Sequence, residues 1–360
     1  VITSDAAIEA VRNAIHSGTH AFAIGGETKT ALSREHRSEH IYKMTDLDGV
    51  LEYDPGEYTF TALAGTRVSE VQDLLETHGQ YLPFDPVLVD SGATLGGTVA
   101  SGLSGPGRVR YGGVRDFILG VQFVDGRGNV IRGGGKVVKN AAGFDYPKLM
   151  VGSLGRLGVI TEVSFKVFPK PKAFQTARFE FPTFSAALEA VERLSRSTFD
   201  LEGLELIPWS ASLVTVLARL GGVPETLVAR ISKLSAFVGQ DAVRIEGDVE
   251  KTVWHGLREF KEDRLARYLV RVPITPRRIL ALEERISGFA TRRYGCAGQV
   301  AWIGWNDELS VLEATLNELE LSGLAILGET NQPMLGRGPD RVFLTRVRQA
   351  LDPDGKFPGF

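Results

Sequence analysis

The sequence predicts an α+β protein built in two parts, and three observations carry that expectation. Glycine is concentrated early, with 18 of the 41 glycines falling in residues 91–158. Two prolines then interrupt an apolar strand at Phe168-Pro169-Lys170-Pro171-Lys172, which marks a boundary. Beyond it, strand-like and amphipathic runs follow in the order strand–helix–strand–strand–helix–strand, the pattern of an antiparallel sheet with helices on one face. At 360 residues, 43% hydrophobic and 24% charged, the chain holds enough apolar material for two or three cores and is not disordered.

Taken in order, Ser4-Asp5 open a helix with Ile8, Val11 and Ile15 on one face, closed by Gly18. Ala21-Phe22-Ala23-Ile24 reads as a buried strand ending in Gly25-Gly26. Residues 50–53 and 58–62 flank Asp54-Pro55-Gly56-Glu57, a hairpin with turn chemistry at its tip. Val68, Val71, Leu74 and Leu75 mark a helix stopped by His78-Gly79, and residues 91–113 form a glycine-rich loop. A second hairpin joins 117–124 to Val130-Ile131, and 159–168 is a long strand. The first part is therefore α+β without regular βαβ alternation. In the second part, strands at 177–181, 204–207, 213–217 and 242–245 enclose helices at 184–194 and 226–237, a ferredoxin-like order. More helix–strand pairs fill 253–327, and a last helix spans 340–351.

Charge and cysteine content narrow the function. The net charge of −3 conceals a basic stretch, since residues 101–172 carry 12 Lys/Arg against 4 Asp/Glu. A nucleic-acid binder interleaves basic residues with aromatics. Here they are interleaved with glycine, which points to a small molecule bearing phosphate and to no nucleic-acid partner. The single Cys296 excludes an internal disulfide and any Cys-rich metal site, so a reducing cytoplasm is expected. No apolar run approaches the ~18 residues of a membrane span. The first residues show no signal-peptide pattern, although the chain does not begin with Met.

Several chemistries fail their motif tests. No strand is followed by G-x-G-x-x-G, and neither Gly135-Lys136-Val137 nor Gly355-Lys356-Phe357 completes a phosphate loop of the Walker type. His16 and His20 stand four apart but with Gly18 between them, and His36-Arg37-Ser38-Glu39-His40 matches an inverted zincin string without helical periodicity around it. Both read as surface rather than as metal sites, and no metal is expected. Gly102-Leu103-Ser104-Gly105-Pro106 lacks the final glycine of a serine nucleophile elbow. What remains is a pair of glycine-rich turns. Gly25-Gly26-Glu27-Thr28-Lys29-Thr30 follows a strand, and its successive N–H groups suit a pyrophosphate, with Thr28 and Lys29 adding donors. Ala93-Thr94-Leu95-Gly96-Gly97-Thr98-Val99-Ala100-Ser101-Gly102 lets backbone approach a flat ligand.

These stretches resemble a known family. Residues 93–102, with Arg110-Tyr111-Gly112 and Val114-Arg115-Asp116, look like the second FAD loop of the vanillyl-alcohol-oxidase (PCMH-type) FAD-binding domain. Lys139-Asn140-Ala141-Ala142-Gly143, the ladder Gly152 to Gly158 with Val159-Ile160-Thr161, and Leu351-Asp352-Pro353-Asp354-Gly355 look like its later signatures. Within that family, Ala23 to Lys29 and Leu149-Met150-Val151-Gly152-Ser153 are similar to the FAD-binding subunits of bacterial glycolate oxidases. The resemblance implies a two-subdomain FAD-binding domain over 1–170, a ferredoxin-like antiparallel cap over 171–330, and a C-terminal segment, 331–360, returning to the FAD domain. It implies FAD held by Ile24, Gly25, Gly26, Glu27, Thr28, Lys29, Thr30, Pro86, Ala93, Thr94, Gly96, Gly97, Thr98, Ala100, Ser101, Gly102, Gly105, Arg115, Asp116, Gly158, Val159, Ile160 and Thr161. Relatives with covalent flavin attach it to a histidine in the first loop. Gly26-Glu27 stand there, so the FAD is expected to be non-covalent.

The resemblance further implies oxidation of a small 2-hydroxy acid, glycolate or D-lactate, by hydride transfer to flavin. It also implies companion flavin and iron–sulfur subunits, with any membrane association passing through them. Such a reaction needs a base for the hydroxyl proton and a cation for the carboxylate. Arg110 and Tyr111 are the first candidates, and Arg337 and Asn331 follow. The chain departs from the group in two respects, one being that Phe357 runs directly into Pro358-Gly359 where the family has an Asn. The catalytic relatives carry a His-rich cap motif, whereas only His255 lies beyond residue 80 here. A second reading is therefore a non-catalytic FAD-bearing assembly or electron-relay subunit. A third, a UDP-N-acetylmuramate-type reductase, needs NADPH and fits the long cap less well. Cys296, Trp254, Trp302 and Trp305 read as packing residues.

Overall fold

A computed structural model describes residues 4–17, 20–33, 40–135, 144–210, 212–288, 290–338 and 341–359. Lys139 to Gly143, the His36–Glu39 string and Gly18 lie outside the described residues. The chain divides into two compact units, Val1–Ser104 with Gly112–Lys170 and Pro339–Phe360, and Gly105–Tyr111 with Pro171–Gly338.

The first unit is built on five strands in the order Val50–Asp54, Thr59–Leu63, Val159–Lys166, Ile118–Val124, Val130–Gly134, every neighbour antiparallel. Both expected hairpins are present. Asp54 Oδ1 accepts from the N–H groups of Gly56 and Glu57 (both 3.0 Å), and Asp125 Oδ1 from those of Arg127 (2.9 Å) and Asn129 (2.8 Å). Such side-chain-to-backbone bonds are how aspartate fixes a turn. Phe60, Phe84 and Phe165 are fully buried in a stack with centroids 5.5–5.7 Å apart. Separately, Ala21–Ile24 pairs in parallel with His40–Lys43. The C-terminal helix Arg341–Leu351 belongs to this unit, because Ala21 N–H donates to Lys356 O (2.9 Å) and Gly126 N–H to Leu351 O (2.8 Å). Asp352 holds the turn after it, accepting from the N–H groups of Lys356 (2.6 Å) and Phe357 (3.0 Å).

Two sequence expectations change here. The stretch 93–102 is not all loop, since Leu95–Ser101 is a helix capped by Thr94 Oγ1, which accepts from Gly97 N–H at 3.2 Å. Two glycines near its start hid the helical pattern, and Gly102 ends it at φ +62°, a left-handed value that glycine adopts freely. Residues 331–338 do not return with the C-terminus, because Met334–Gly336 pairs with Ser322–Leu327 in the second unit.

The second unit contains one nine-stranded antiparallel sheet. Its order is Val243–Glu246, Ala173–Phe181, Leu213–Gly222, Leu201–Ser210, Ala290–Gly295, Val300–Trp305, Tyr268–Pro273, Ser322–Leu327, Met334–Gly336. The strand–helix–strand–strand–helix–strand order read from 177–245 is present, its helices being Phe184–Ser195 and Pro224–Val238. The same order occurs a second time, with helices Pro276–Ile286 and Leu309–Glu318. The halves meet at a single bridged pair, Leu206 and Tyr294. Around that seam Arg293, 3% exposed, bonds Glu205 (3.1 Å) and Asp263 (3.2 Å), and Cys296 N–H donates to Glu205 Oε1 (3.1 Å). Trp254, Trp302 and Trp305 are buried packing residues, as read.

Candidate functional site

The first unit carries a cleft, open on one side, that is assembled from three backbone turns. Ile24, Gly25, Gly26, Glu27, Thr28 and Lys29 form one wall, and Thr94, Gly96, Gly97, Ala100 and Ser101 form the second. Leu154, Gly155, Gly158 and Ile160 contribute the third, with Leu32, Met44 and Ala64 at the apolar floor. Each wall exists for a local reason. The strand Ala21–Ile24 delivers the first turn, Thr94 starts the helix of the second, and two bonds tie the third to that helix: Gly152 N–H to Val99 O (3.0 Å) and Leu154 N–H to Ala100 O (2.9 Å).

The first two walls touch backbone to backbone. A Cβ on Gly26 would lie 1.9 Å from Gly92 O, and one on Gly25 would lie 2.4 Å from Thr94 Oγ1. Only glycine permits that approach. Glu27 takes a left-handed φ of +52° while its side chain stays exposed. A left-handed residue in such a turn aims successive N–H groups to one side, making an anion nest. The N–H groups of Gly26, Glu27 and Thr28 have no acceptor among the described residues. Beside them lies Lys29, 6% exposed, with its ammonium 3.2 Å from Thr28 Oγ1. Three unspent donors and a shielded cation fit a pyrophosphate. The bare backbone of Gly96 and Gly97 and the floor of Met44 and Ala64 fit the flat, apolar parts of a dinucleotide. FAD therefore suits the residues present.

The remaining expected cofactor residues stand elsewhere or are otherwise engaged. Thr161 does not line the cleft. Its Oγ1 accepts from the Gln122 side-chain amide (2.7 Å), whose oxygen accepts in turn from the Arg132 guanidinium (2.7 Å). Asp116 caps the turn Val114–Phe117 by accepting from Gly113 N–H (2.8 Å), and Arg115 is exposed. Pro86, Ala93, Thr98, Gly105 and Val159 are buried, Gly102 half-buried and Thr30 exposed, none of them lining the cleft. Thr98 Oγ1 and Ser153 Oγ are buried without partners among the described residues. Leu32, Met44 and Ala64 were missed by sequence reasoning, because apolar residues carry no motif. Leu154 and Gly155 lay inside the glycine ladder Gly152 to Gly158.

In the second unit, Arg110 is not a free cation. Its guanidinium engages the buried Glu202 carboxylate, lies 3.8 Å from Asp200, and covers the Tyr111 ring at 5.0 Å. Burial pushes the Glu202 carboxyl above the usual carboxylate range, against the pull of Arg110 and, more weakly, Arg219 and Arg230. At the half-buried Arg110 burial acts downward but is outweighed, Glu202 first, so its affinity for the proton rises. Desolvation thus wins at the more enclosed partner and charge pairing at the more open one. An incoming carboxylate would have to displace Glu202. Arg337 and Asn331 are exposed.

Comparison with known proteins agrees with this geometry. Residues 2–134 match the family model described as FAD binding domain. The glycolate oxidase subunit GlcE of Escherichia coli is 41% identical over 189 residues, 52% of this chain and 54% of that protein. The glycolate oxidase subunit GlcD of Bacillus subtilis is 30% identical over 207 residues, 57% of this chain and 43% of that one. A D-lactate dehydrogenase of Archaeoglobus fulgidus is 31% identical over 175 residues, 49% and 39% respectively. The matches span about half the length of these relatives or less. Among solved structures, an alkyldihydroxyacetonephosphate synthase superposes with a TM-score of 0.74 over 99% of this chain and 75% of its own, at 15% identity, a likeness of fold alone.

Proposed function

We propose that this chain, whose residues 2–134 match the family model described as FAD binding domain, is the FAD-bearing subunit of a glycolate oxidase-like complex that oxidises a 2-hydroxy acid to the 2-oxo acid. The observation that carries the reading is the nest of Gly26, Glu27 and Thr28 N–H groups beside Lys29, in a cleft walled by bare backbone. When bound there, non-covalent FAD supplies a two-electron acceptor for the hydride leaving C2 of the hydroxy acid. The chain's own residues do the holding. Gly26, Glu27, Thr28 and Lys29 take the pyrophosphate, and Thr94, Gly96, Gly97, Ala100, Ser101, Gly158 and Ile160 shape the remainder of the cleft. Residues 171–330 serve as a ferredoxin-like cap on a PCMH-type domain. Companion flavin and iron–sulfur subunits take the electrons onward, and the complex is cytoplasmic. Among the described residues no helix is long and apolar enough to cross a membrane.

A second reading, an FAD-bearing assembly or relay subunit without its own turnover, draws support from Arg110. The cation expected to meet the substrate is already matched by Glu202. One experiment tests both. The purified chain, saturated with FAD, is mixed anaerobically with glycolate and with D-lactate while the flavin absorbance is followed. Bleaching by either acid supports the oxidase reading, and bleaching only after companion subunits are added supports the relay. Failure to retain FAD at all overturns both.

A further inference from the structure

The second unit repeats one strand order in mirror image, and its two outer edges are finished differently. In each repeat the fourth strand lies farthest from the seam, Val243–Glu246 on one side and Ser322–Leu327 on the other. The second repeat covers that strand. Met334–Gly336 pairs antiparallel with it and Leu335 is buried. Gly336 lies so near the helix Leu309–Glu318 that an added Cβ would meet Leu316 Cβ at 2.8 Å. The first repeat has no such cover. Among the described residues Val243–Glu246 pairs only with Ala173–Phe181, and no backbone bond reaches its outer side. In the place corresponding to Leu335, an open groove of about 640 Å³ runs between the helix Pro224–Val238 and this strand, bordered by Val228, Ile231, Ser232, Ala236 and Arg244.

We propose that a second copy of the chain docks on this edge, the two Val243–Glu246 strands pairing antiparallel about Ile245. The choice of occupant comes from charge. Arg244 and Glu246 share one face of the strand, where Glu246 Oε1 accepts from the Arg244 guanidinium (3.0 Å) and Oε2 from the Gln175 amide (2.8 Å). Two residues apart and opposite in sign, they make the strand its own complement. An antiparallel copy centred on Ile245 sets Arg244 of each chain opposite Glu246 of the other, and cross-strand pairs of opposite charge stabilise a sheet. An edge built to stay single carries charge that opposes pairing, whereas this one attracts its own copy. On the other face, the same register brings the exposed Val243 of one chain beside Gly247 of the other, close to the exposed Val249 of the next helix. The groove then lies between two Pro224–Val238 helices, one from each chain, and the exposed Val228 is covered. Met334–Gly336, at the opposite edge, has no charge with which to select a copy of itself. The proposal goes beyond the 2-hydroxy-acid reading and does not depend on it.

The test is sedimentation equilibrium of the full FAD-supplemented chain over a range of concentrations, with a thermal melt of every variant. The wild type should pass from monomer to dimer as its concentration rises. Arg244→Glu sets carboxylates face to face across the junction, and Glu246→Arg does the same with guanidinium groups. Each should weaken self-association roughly 10- to 100-fold. Mixing the two variants restores opposite signs at both positions, so the mixture should dimerise as the wild type does. The chain carrying both substitutions is again its own complement and should also recover. Recovery of this kind separates cross-strand pairing from general damage to the fold. A wild type that stays monomeric at every concentration overturns the proposal. So does a dimer indifferent to the single variants, a mixture of the folded variants that stays monomeric, or an edge that is covered only when companion subunits are added.

Discussion

Replacing Gly26 by alanine tests the cleft at the point where its two first walls touch. The added Cβ would lie 1.9 Å from Gly92 O and 2.9 Å from Gly92 C, and both are backbone atoms that cannot rotate away. Ordinary contact begins at 3.4 Å, so one wall must retreat by about 1.5 Å. Overpacking of this kind costs roughly 1–3 kcal/mol of stability. The larger effect falls on binding, because the same movement carries the N–H groups of Gly26 and Glu27 out of hydrogen-bonding range. Losing one bond to a charged group costs about 1.5–3 kcal/mol, or roughly 10- to 100-fold in affinity. The assay is titration of the apo chain with FAD, read by flavin fluorescence, beside a thermal melt. Gly56→Ala, whose nearest neighbour is Asp54 Oδ1 at 3.4 Å on an exposed turn, is the control and should bind as the wild type does. A folded Gly26→Ala chain that binds FAD as tightly as the control would show that the nest does not hold the cofactor.

Two further outcomes follow from buried titratable groups. Arg110→Ala strands the Glu202 carboxylate, and uncompensated buried charges cost about 3–5 kcal/mol; the lower end is expected because Arg110 keeps part of its side chain in water. Glu202 is an acid whose folded form holds its proton more tightly than the unfolded form does, so its contribution to stability is greatest below the ordinary carboxylate range and falls as the pH rises through that range. Removing Arg110 pushes the carboxyl higher still. The deficit in urea unfolding should therefore be larger at pH 8 than at pH 5, and an equal deficit at both would contradict the pairing. Cys296 is held up to about 12, by burial first and by Glu205 second. On the order of one thiol in ten thousand is then ionised at pH 8, and since the thiolate is the nucleophile, the native chain should resist a disulfide reagent that labels one thiol per chain after unfolding.

Much of the architecture was legible because its signals are local. The hairpin turns carry Asp and Gly at positions that fix them, and the split βαβ order shows in alternating strand and helix patterns. The cleft was legible where backbone must be bare, at Gly25, Gly26, Gly96 and Gly97. Side-chain partnerships were not. Nothing in the sequence says that Arg110 faces Glu202, 92 residues away, while Arg108 and Arg271 bond no acid among the described residues. The helix Leu95–Ser101 was hidden because two glycines near its start lower its intrinsic propensity, and tertiary bonds such as Gly96 N–H to Ala64 O (2.7 Å) supply what propensity does not.

The junction at Leu206 and Tyr294 gives the large sheet an unusual waist. Elsewhere, neighbouring strands such as Ala173–Phe181 and Leu213–Gly222 share nine paired positions, whereas here one bridged pair is supplemented by the side chains around Arg293. Across this line one backbone bond, Ala297 N–H to Leu204 O (3.0 Å), and the Phe184–Tyr294 ring contact stand beside the buried pair of Arg293 and Glu205, so loss of either charged side chain would loosen the junction first. The repeat is thus joined by a rivet and not by weaving, and hydrogen exchange should find its loosest amides there.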